Sequence, residues 1–275
     1  MSKLKKILFN KGSTAAYAII SAIFTLVPED SLLFWKLNDK WQDSTNILIN
    51  RLVICVVIFV VANVIYYAVY RKIRKRVQIT GENFTIQIEY GDLFSISNGK
   101  IVINFDECFT TKVGDAPSEI KATSVCGQYL SKNPIQDMQT LIDSAGVKPE
   151  KGKSEFKGQT KYKPGTIVPH DKYLLMAFAE LDKNGLGHLT YEEFLDCLNT
   201  LWKQIDLHHG TDDVYIPVLG SKITRFDREL TQQELLDIMT ASYTLSSNRM
   251  KKPYQLYIVC KERDGFSLDD VKGID

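Results

Sequence analysis

The sequence predicts an α/β protein in which an N-terminal transmembrane helical hairpin precedes a three-layer domain with a mixed, largely parallel sheet. Three observations carry this. Leu52–Tyr70 (LVICVVIFVVANVIYYAVY) contains no charged residue; at a rise of about 1.5 Å per residue it reaches about 28 Å, close to a hydrocarbon core. Lysines precede the first apolar stretch, and Arg71, Lys72, Arg74, Lys75 and Arg76 follow the second. From Val77 onward, strand-type and helix-type patterns alternate, which yields a sheet with helices packed on its faces.

Taken in chain order, Lys3, Lys5, Lys6 and Lys11 lead into an apolar run, Ser13–Val27, that ends at Pro28-Glu29-Asp30 without a small-x-small cleavage site. It therefore reads as a retained anchor rather than a signal peptide. This run is short, so it suits a crossing helix or an interfacial one. The connection to Arg51 is mixed in charge, and the positive-inside rule puts both ends of the hairpin in the cytoplasm. Leu32, Leu33, Phe34, Trp35, Leu37 and Trp41 suit either an interfacial helix or a loop with interfacial anchors. Asn63 is the one strongly polar residue in the second span and a candidate for a helix–helix hydrogen bond. The expected division is residues 1–76, with helices at about 13–27 and 52–70 and a basic juxtamembrane segment, and residues 77–275 as one soluble domain. The expected location is the cell inner or plasma membrane, multi-pass, with the C-terminal domain cytoplasmic.

Within that domain Phe84, Ile86, Ile88 and Tyr90 alternate with period two, and Lys100–Phe105 is a short apolar run of the buried-strand type. Tyr173–Leu181, Val214–Leu219 and Gln255–Lys261 read as further strands. Helical spacing covers Ser124–Ser131, Pro134–Ala145, Thr190–Ile205 and Thr231–Leu245, with Thr190 and Thr231 as N-caps. The lysine-rich segment Lys148–Lys163 lacks an apolar period and reads as a mobile loop, either a solvated insertion or a lid. In parallel sheets ligands bind beyond the strand C-terminal ends, which directs attention to the loops after Phe105 and Leu219.

The net charge of +1 argues against nucleic acid as a partner. Five cysteines, without a CxxC pair or a Cys/His cluster, suggest reduced thiols and neither a zinc site nor a disulfide framework. Asp182–Glu193 puts Asp182, Asn184, Gly187, Leu189 and Glu193 at positions 1, 3, 6, 8 and 12 of a calcium-loop pattern. Leu186 at position 5 offers no side-chain oxygen, and a strand-like run precedes the segment. It reads as a turn into the helix near Thr190, which disfavours the alternative of a calcium-regulated membrane protein, and no metal is expected.

Tyr90-Gly91-Asp92-Leu93, Ile101–Phe109 (IVINFDECF) and Pro217-Val218-Leu219-Gly220-Ser221 together resemble a macro domain, the fold that binds ADP-ribose. With the two N-terminal hydrophobic segments and Leu201-Trp202 in a later helix, the chain resembles the membrane-anchored macro-domain effectors of type II Thoeris anti-phage defence. The resemblance implies a macro-like domain sensing an ADP-ribose-derived signal, histidine-linked ADP-ribose made by a TIR-domain partner. It further implies a homo-oligomer that disrupts the membrane and causes abortive infection, with no cofactor and no enzymatic activity of its own. Asp92 would accept a hydrogen bond from the adenine amine and Leu93 would line the ring. Asn104, Phe105, Asp106, Glu107, Cys108 and Phe109 would form the loop near the distal ribose and phosphates. Leu219, Gly220, Ser221 and Lys222 would wrap the diphosphate, with Gly165 and Thr166 as additions. The family's usual loop asparagine and glycine run are replaced by Asp106 and Glu107–Thr111, which favours binding over a membrane-tethered ADP-ribosyl hydrolase. An acidic Asp106 or Glu107 would suit the amine or imidazole of a histidine conjugate.

Overall fold

The structure, a computed structural model, describes residues 11–33, 35–36, 40–73, 75–221, 224–262 and 266–271. Lys3, Lys5, Lys6, Phe34, Leu37 and Lys222 lie outside them. The chain divides into two compact units, Met1–Arg74 and Lys75–Asp275.

In the first unit, α1 (Lys11–Leu26) and α2 (Asp43–Ile73) run antiparallel. Ser13 meets Asn63, the Tyr17 and Phe59 rings lie 6.0 Å apart, and the Arg51 guanidinium sits over the Phe24 ring. Asn63 Nδ2 donates to Ser13 Oγ at 3.2 Å and to Phe59 O at 2.9 Å, so the polar residue of the span is satisfied within the hairpin. The connection contains a 3₁₀ turn, Glu29–Leu32. It is tied back by Asn50, whose Nδ2 donates to Leu32 O and Trp35 O, and by an Arg51–Glu29 ion pair at 2.7 Å. Trp35 and Trp41 remain exposed. Among the described residues one helix, Asp43–Val69, is long and apolar enough to cross a membrane; Gly12–Leu26 is shorter. α2 begins nine residues before Leu52, because Asp43 and the polar residues after it are compatible with a helix whose apolar section starts later. It also continues through Arg71 and Lys72, so these basic residues extend the helix.

The second unit is a sheet between two helical layers. Its strands are β1 (Arg76–Thr80), β2 (Thr85–Tyr90), β3 (Lys100–Asp106), β4 (Ile167–His170), β5 (Tyr173–Leu181), β6 (Gly187–Leu189), β7 (Val214–Pro217), β8 (Arg225–Phe226) and β9 (Leu256–Cys260). The helices are α3 (Val125–Lys132), α4 (Met138–Ser144), α5 (Tyr191–His208) and α6 (Gln232–Leu245). Strand order is β1-β2-β9-β7-β3-β5-β6-β8, with β4 also on β5. The central strands β2, β9, β7, β3 and β5 are mutually parallel, and β1, β4 and β6 join antiparallel.

Side-chain alternation along each strand sends one set of residues to each face. Ile86, Ile88, Val102, Met176, Ile216 and Ile258 pack with Phe194, Leu201 and Trp202 of α5 and with Leu236, Met239 and Tyr243 of α6. Ile101, Ile103, Phe105, Leu175, Ala177 and Val259 face Tyr129 and Leu130 of α3 and Ile142 of α4. Both long helices start at the predicted threonines through complete capping boxes, Thr190 with Glu193 and Thr231 with Glu234.

Segment 148–163, expected to be mobile, is folded onto the domain. Phe156 and Tyr162 are buried, Ser154 Oγ donates to Glu107 Oε1, and Tyr162 N donates to Glu107 O. Its two aromatic side chains dock separately from an irregular loop, so no periodicity announces them.

Candidate functional site

The five parallel strands all end on one side of the sheet, and their following turns enclose a cleft. Two hollows share Asn104, Ser124 and Thr224. The first, of about 100 Å3, lies among Gly91–Phe94 after β2, Val218, Gly220 and Ser221 after β7, Lys261 after β9, and Thr123–Val125 and Gln128 of α3. The second, of about 290 Å3, continues past Phe105, Asp106 and Thr110 to Pro117–Lys121, Leu186 and Arg225.

Each wall is built by local chemistry. Asp92 caps a 3₁₀ turn, Leu93–Ser95, its Oδ1 accepting from Phe94 N at 3.1 Å, and this turn buries Leu93. Ser124 caps α3, its Oγ accepting from Gly127 N at 2.9 Å, which directs the helix N-terminus into the cleft. A Cβ on Gly127 would lie 2.2 Å from Lys121 O, so only glycine lets the loop at Lys121–Ala122 pass this close to α3. Gly220 has φ +75°, and a Cβ there would lie 2.6 Å from the Phe226 ring. The turn after β7 therefore brings bare backbone to the cleft, beside the α3 N-terminus. Amides at a helix N-terminus and a glycine turn, with Lys261, Lys121 and Arg225 on the rim, suit an anionic group.

The loop after β3 is held by its own acid. Asp106 Oδ1 accepts from Cys108 N at 2.9 Å and Thr110 N at 3.1 Å, and Oδ2 accepts from the Thr110 hydroxyl. Burial raises the Asp106 carboxyl above the usual aspartate range, outweighing the lowering by these hydrogen bonds. Burial likewise pushes the Cys108 thiol up to about 11, which keeps it protonated. Phe109 adopts φ +52°, and its ring packs on Phe105 and Tyr162 in the core.

Of the residues expected from sequence, Asp92, Leu93, Asn104, Phe105, Asp106, Gly220 and Ser221 line the cleft. Others lie elsewhere. Glu107 is 2% exposed, and its Oε1 accepts from Ser154 Oγ and from Leu181 N. It clasps segment 148–163 to β5 and lines neither hollow. Cys108 and Phe109 also line neither. Leu219 points into the core, its amide donating to Met239 Sδ, because β7 stops at Pro217 and the strand alternation stops with it. Gly165 and Thr166 pair with Ala177 at the start of β4; Gly165, at φ +91°, abuts the backbone of α5. Thr123, Ser124, Gln128, Thr224, Gln232 and Lys261 were not anticipated as lining residues. The one available signal was the Ser124 cap, which marks a helix N-terminus after β3.

In the calcium-like segment, Asp182 Oδ1 accepts from Asn184 N and Leu186 N, making a closed turn into β6 and the Thr190 cap.

The chain is 31% identical over 189 residues to Thoeris protein ThsA of Bacillus amyloliquefaciens (strain Y2), a stretch covering 65% of this chain and 63% of that protein. Two Oceanobacillus iheyensis macrodomain mutants, an aspartate-to-alanine variant and a glycine-to-valine variant with ADPR, each share 9% identity. The first gives a TM-score of 0.44 over 68% of this chain and 90% of that one. The second gives 0.45 over 68% and 91%. The profile described as Thoeris protein ThsA, Macro domain, matches residues 86–261, from β2 through the rim residue Lys261, and so takes in every cleft wall described above. With that match spanning more than half of its length, the chain belongs to the Thoeris ThsA macro-domain family.

Proposed function

We propose that this protein is a ligand-gated membrane effector of anti-phage defence whose domain binds an ADP-ribose-derived nucleotide. The supporting observation is the continuous cleft from Asp92 to Arg225, with the α3 N-terminus and the Gly220–Ser221 turn at its middle, where a diphosphate would sit. Asp92 and Leu93 would hold the adenine, and Asn104, Phe105 and Asp106 the distal ribose. Binding rather than hydrolysis is favoured because the Asp106 carboxylate is engaged by its own loop and the Cys108 thiol stays protonated. The nucleotide would be histidine-linked ADP-ribose supplied by a TIR-domain partner. α1 spans about 24 Å at 1.5 Å per residue, so its crossing beside α2 requires a locally thinned bilayer. Both termini would then be cytosolic, and binding would favour an oligomer that disrupts the cell membrane and aborts infection.

Calorimetric titration of the detergent-solubilised full chain with ADP-ribose and its histidine conjugate tests this. Saturable binding is expected, and Asp92→Ala should weaken it about tenfold, or about 1.4 kcal/mol. A folded chain that takes up neither nucleotide refutes the reading.

A further inference from the structure

Beside the first hollow lies a shallower one lined by Lys75, Tyr90, Gly91, Asp92, Gln128, Lys261 and Glu262. Four of these, Gly91, Asp92, Gln128 and Lys261, also line the main cleft. Lys75, Tyr90 and Glu262 are new, and the place of Lys75 in the chain is what matters. Only Arg74 separates it from Ile73, the last residue of α2. Lys75 is also fixed to the cleft wall: its carbonyl accepts from Tyr90 N at 3.0 Å, and Gly91, the next residue, donates from its amide to Cys260 O at 3.1 Å. The backbone entering the domain is therefore bonded to the residue immediately before the Gly91-Asp92 turn.

We propose that the nucleotide site extends to Lys75, so that the first residue of the domain is itself a ligand-contacting residue and occupancy is read directly at the joint with α2. This deepens the functional reading above and rests on it. The ligand part concerned is the adenosine end, held by the Asp92 turn. Beside it Lys75 and Lys261 line the same hollow as Asp92 and Glu262, a setting of mixed charge that suits ribose hydroxyls. A nucleotide seated there closes the hollow over Lys75 and holds the Tyr90–Lys75 hydrogen bond shut. Binding energy then favours the arrangement in which this hydrogen bond is made, and such a preference is the condition for a ligand to shift an equilibrium.

The test is thiol labelling in the detergent-solubilised full chain carrying Lys75→Cys, a change that leaves the Lys75 carbonyl bond to Tyr90 in place. Adduct at position 75 is quantified by peptide mass spectrometry, with Lys251→Cys, outside both hollows, as control. Saturating ADP-ribose is expected to slow labelling at position 75 by about fivefold or more, at the lower end of ordinary site-to-site coupling, while position 251 is unchanged. Equal labelling with and without nucleotide, in a chain shown by calorimetry to be saturated, overturns this inference and leaves the functional reading standing. Absence of nucleotide uptake by the unmodified chain overturns both.

Discussion

Replacing Glu107 with alanine separates a structural role from a ligand-binding one. The carboxylate lies 2% exposed, and Oε1 accepts from two donors that are themselves buried, the Ser154 hydroxyl and the Leu181 amide at 3.2 Å. Its other oxygen faces Lys161 at 3.9 Å, and Lys161 keeps Glu150 at the same distance when Glu107 is gone. The loss is therefore dominated by two stranded donors at about 1–3 kcal/mol each, for a total of about 2–6 kcal/mol. Glu107→Gln retains a carbonyl acceptor for both donors and should cost about 1 kcal/mol, the worth of a neutral hydrogen bond in place of a charged one. Hydrogen exchange in the detergent-solubilised chain reads this locally, because Glu150 N donates to Lys161 O and Ser154 N to Gln159 O only while segment 148–163 is folded. In Glu107→Ala those amides should exchange at least about thirtyfold faster, the factor equivalent to 2 kcal/mol, with a much smaller change in Glu107→Gln. Unchanged exchange combined with lost nucleotide affinity would refute the clasp and restore Glu107 as a ligand contact.

Gly127→Ala should destabilise the domain by about 1–2 kcal/mol, since overpacking against Lys121 O outweighs the usual gain of about 1 kcal/mol from alanine in a helix; a raised melting temperature would contradict the close approach. Asp106 has a folded pKa raised by burial, so its protonated form is favoured by folding. Its contribution is fully present below the ordinary aspartate range and is lost as pH rises through the raised value. Urea midpoints of the parent and Asp106→Asn should therefore converge toward the acid side of that window and separate above it, the asparagine chain gaining; parallel curves would refute the assignment. Asn63→Leu removes the bond to Ser13, a tie worth about 0.6–1.7 kcal/mol where both helices lie in a membrane as proposed above. Exchange of the Lys11–Leu26 amides should accelerate roughly three- to fifteenfold, and unchanged rates would show that the hairpin does not depend on this pair.

The sheet core was readable where period two or a caps-and-stripe pattern ran long enough, as at Thr85–Tyr90 and behind Thr190 and Thr231. Short strands escaped: β1 begins on the last residue of a basic run, β6 has three residues and β8 two, too few to show a period. Site residues followed the same division. Asp92 is marked by its capping of a turn and Gly220 by its φ of +75°. Whether Leu219 or Glu107 faces the cleft depends on where a strand stops and on which distant segment docks behind it, and neither is written in nearby residues. Ser154 lies 47 positions from the glutamate it bonds.

The pairing of β1 has a mechanical consequence. Its first rung, Arg76↔Glu89, is the open mouth of the β1–β2 hairpin, and its last, Thr80↔Thr85, adjoins the turn. Strand ends fray before their middles, and the N-terminal end of β1 has no turn to close it, so β1 opens from Arg76↔Glu89 toward Thr80↔Thr85. The rung beside Lys75 is thus the one that opens most often, and the rung beside the turn is the last to go.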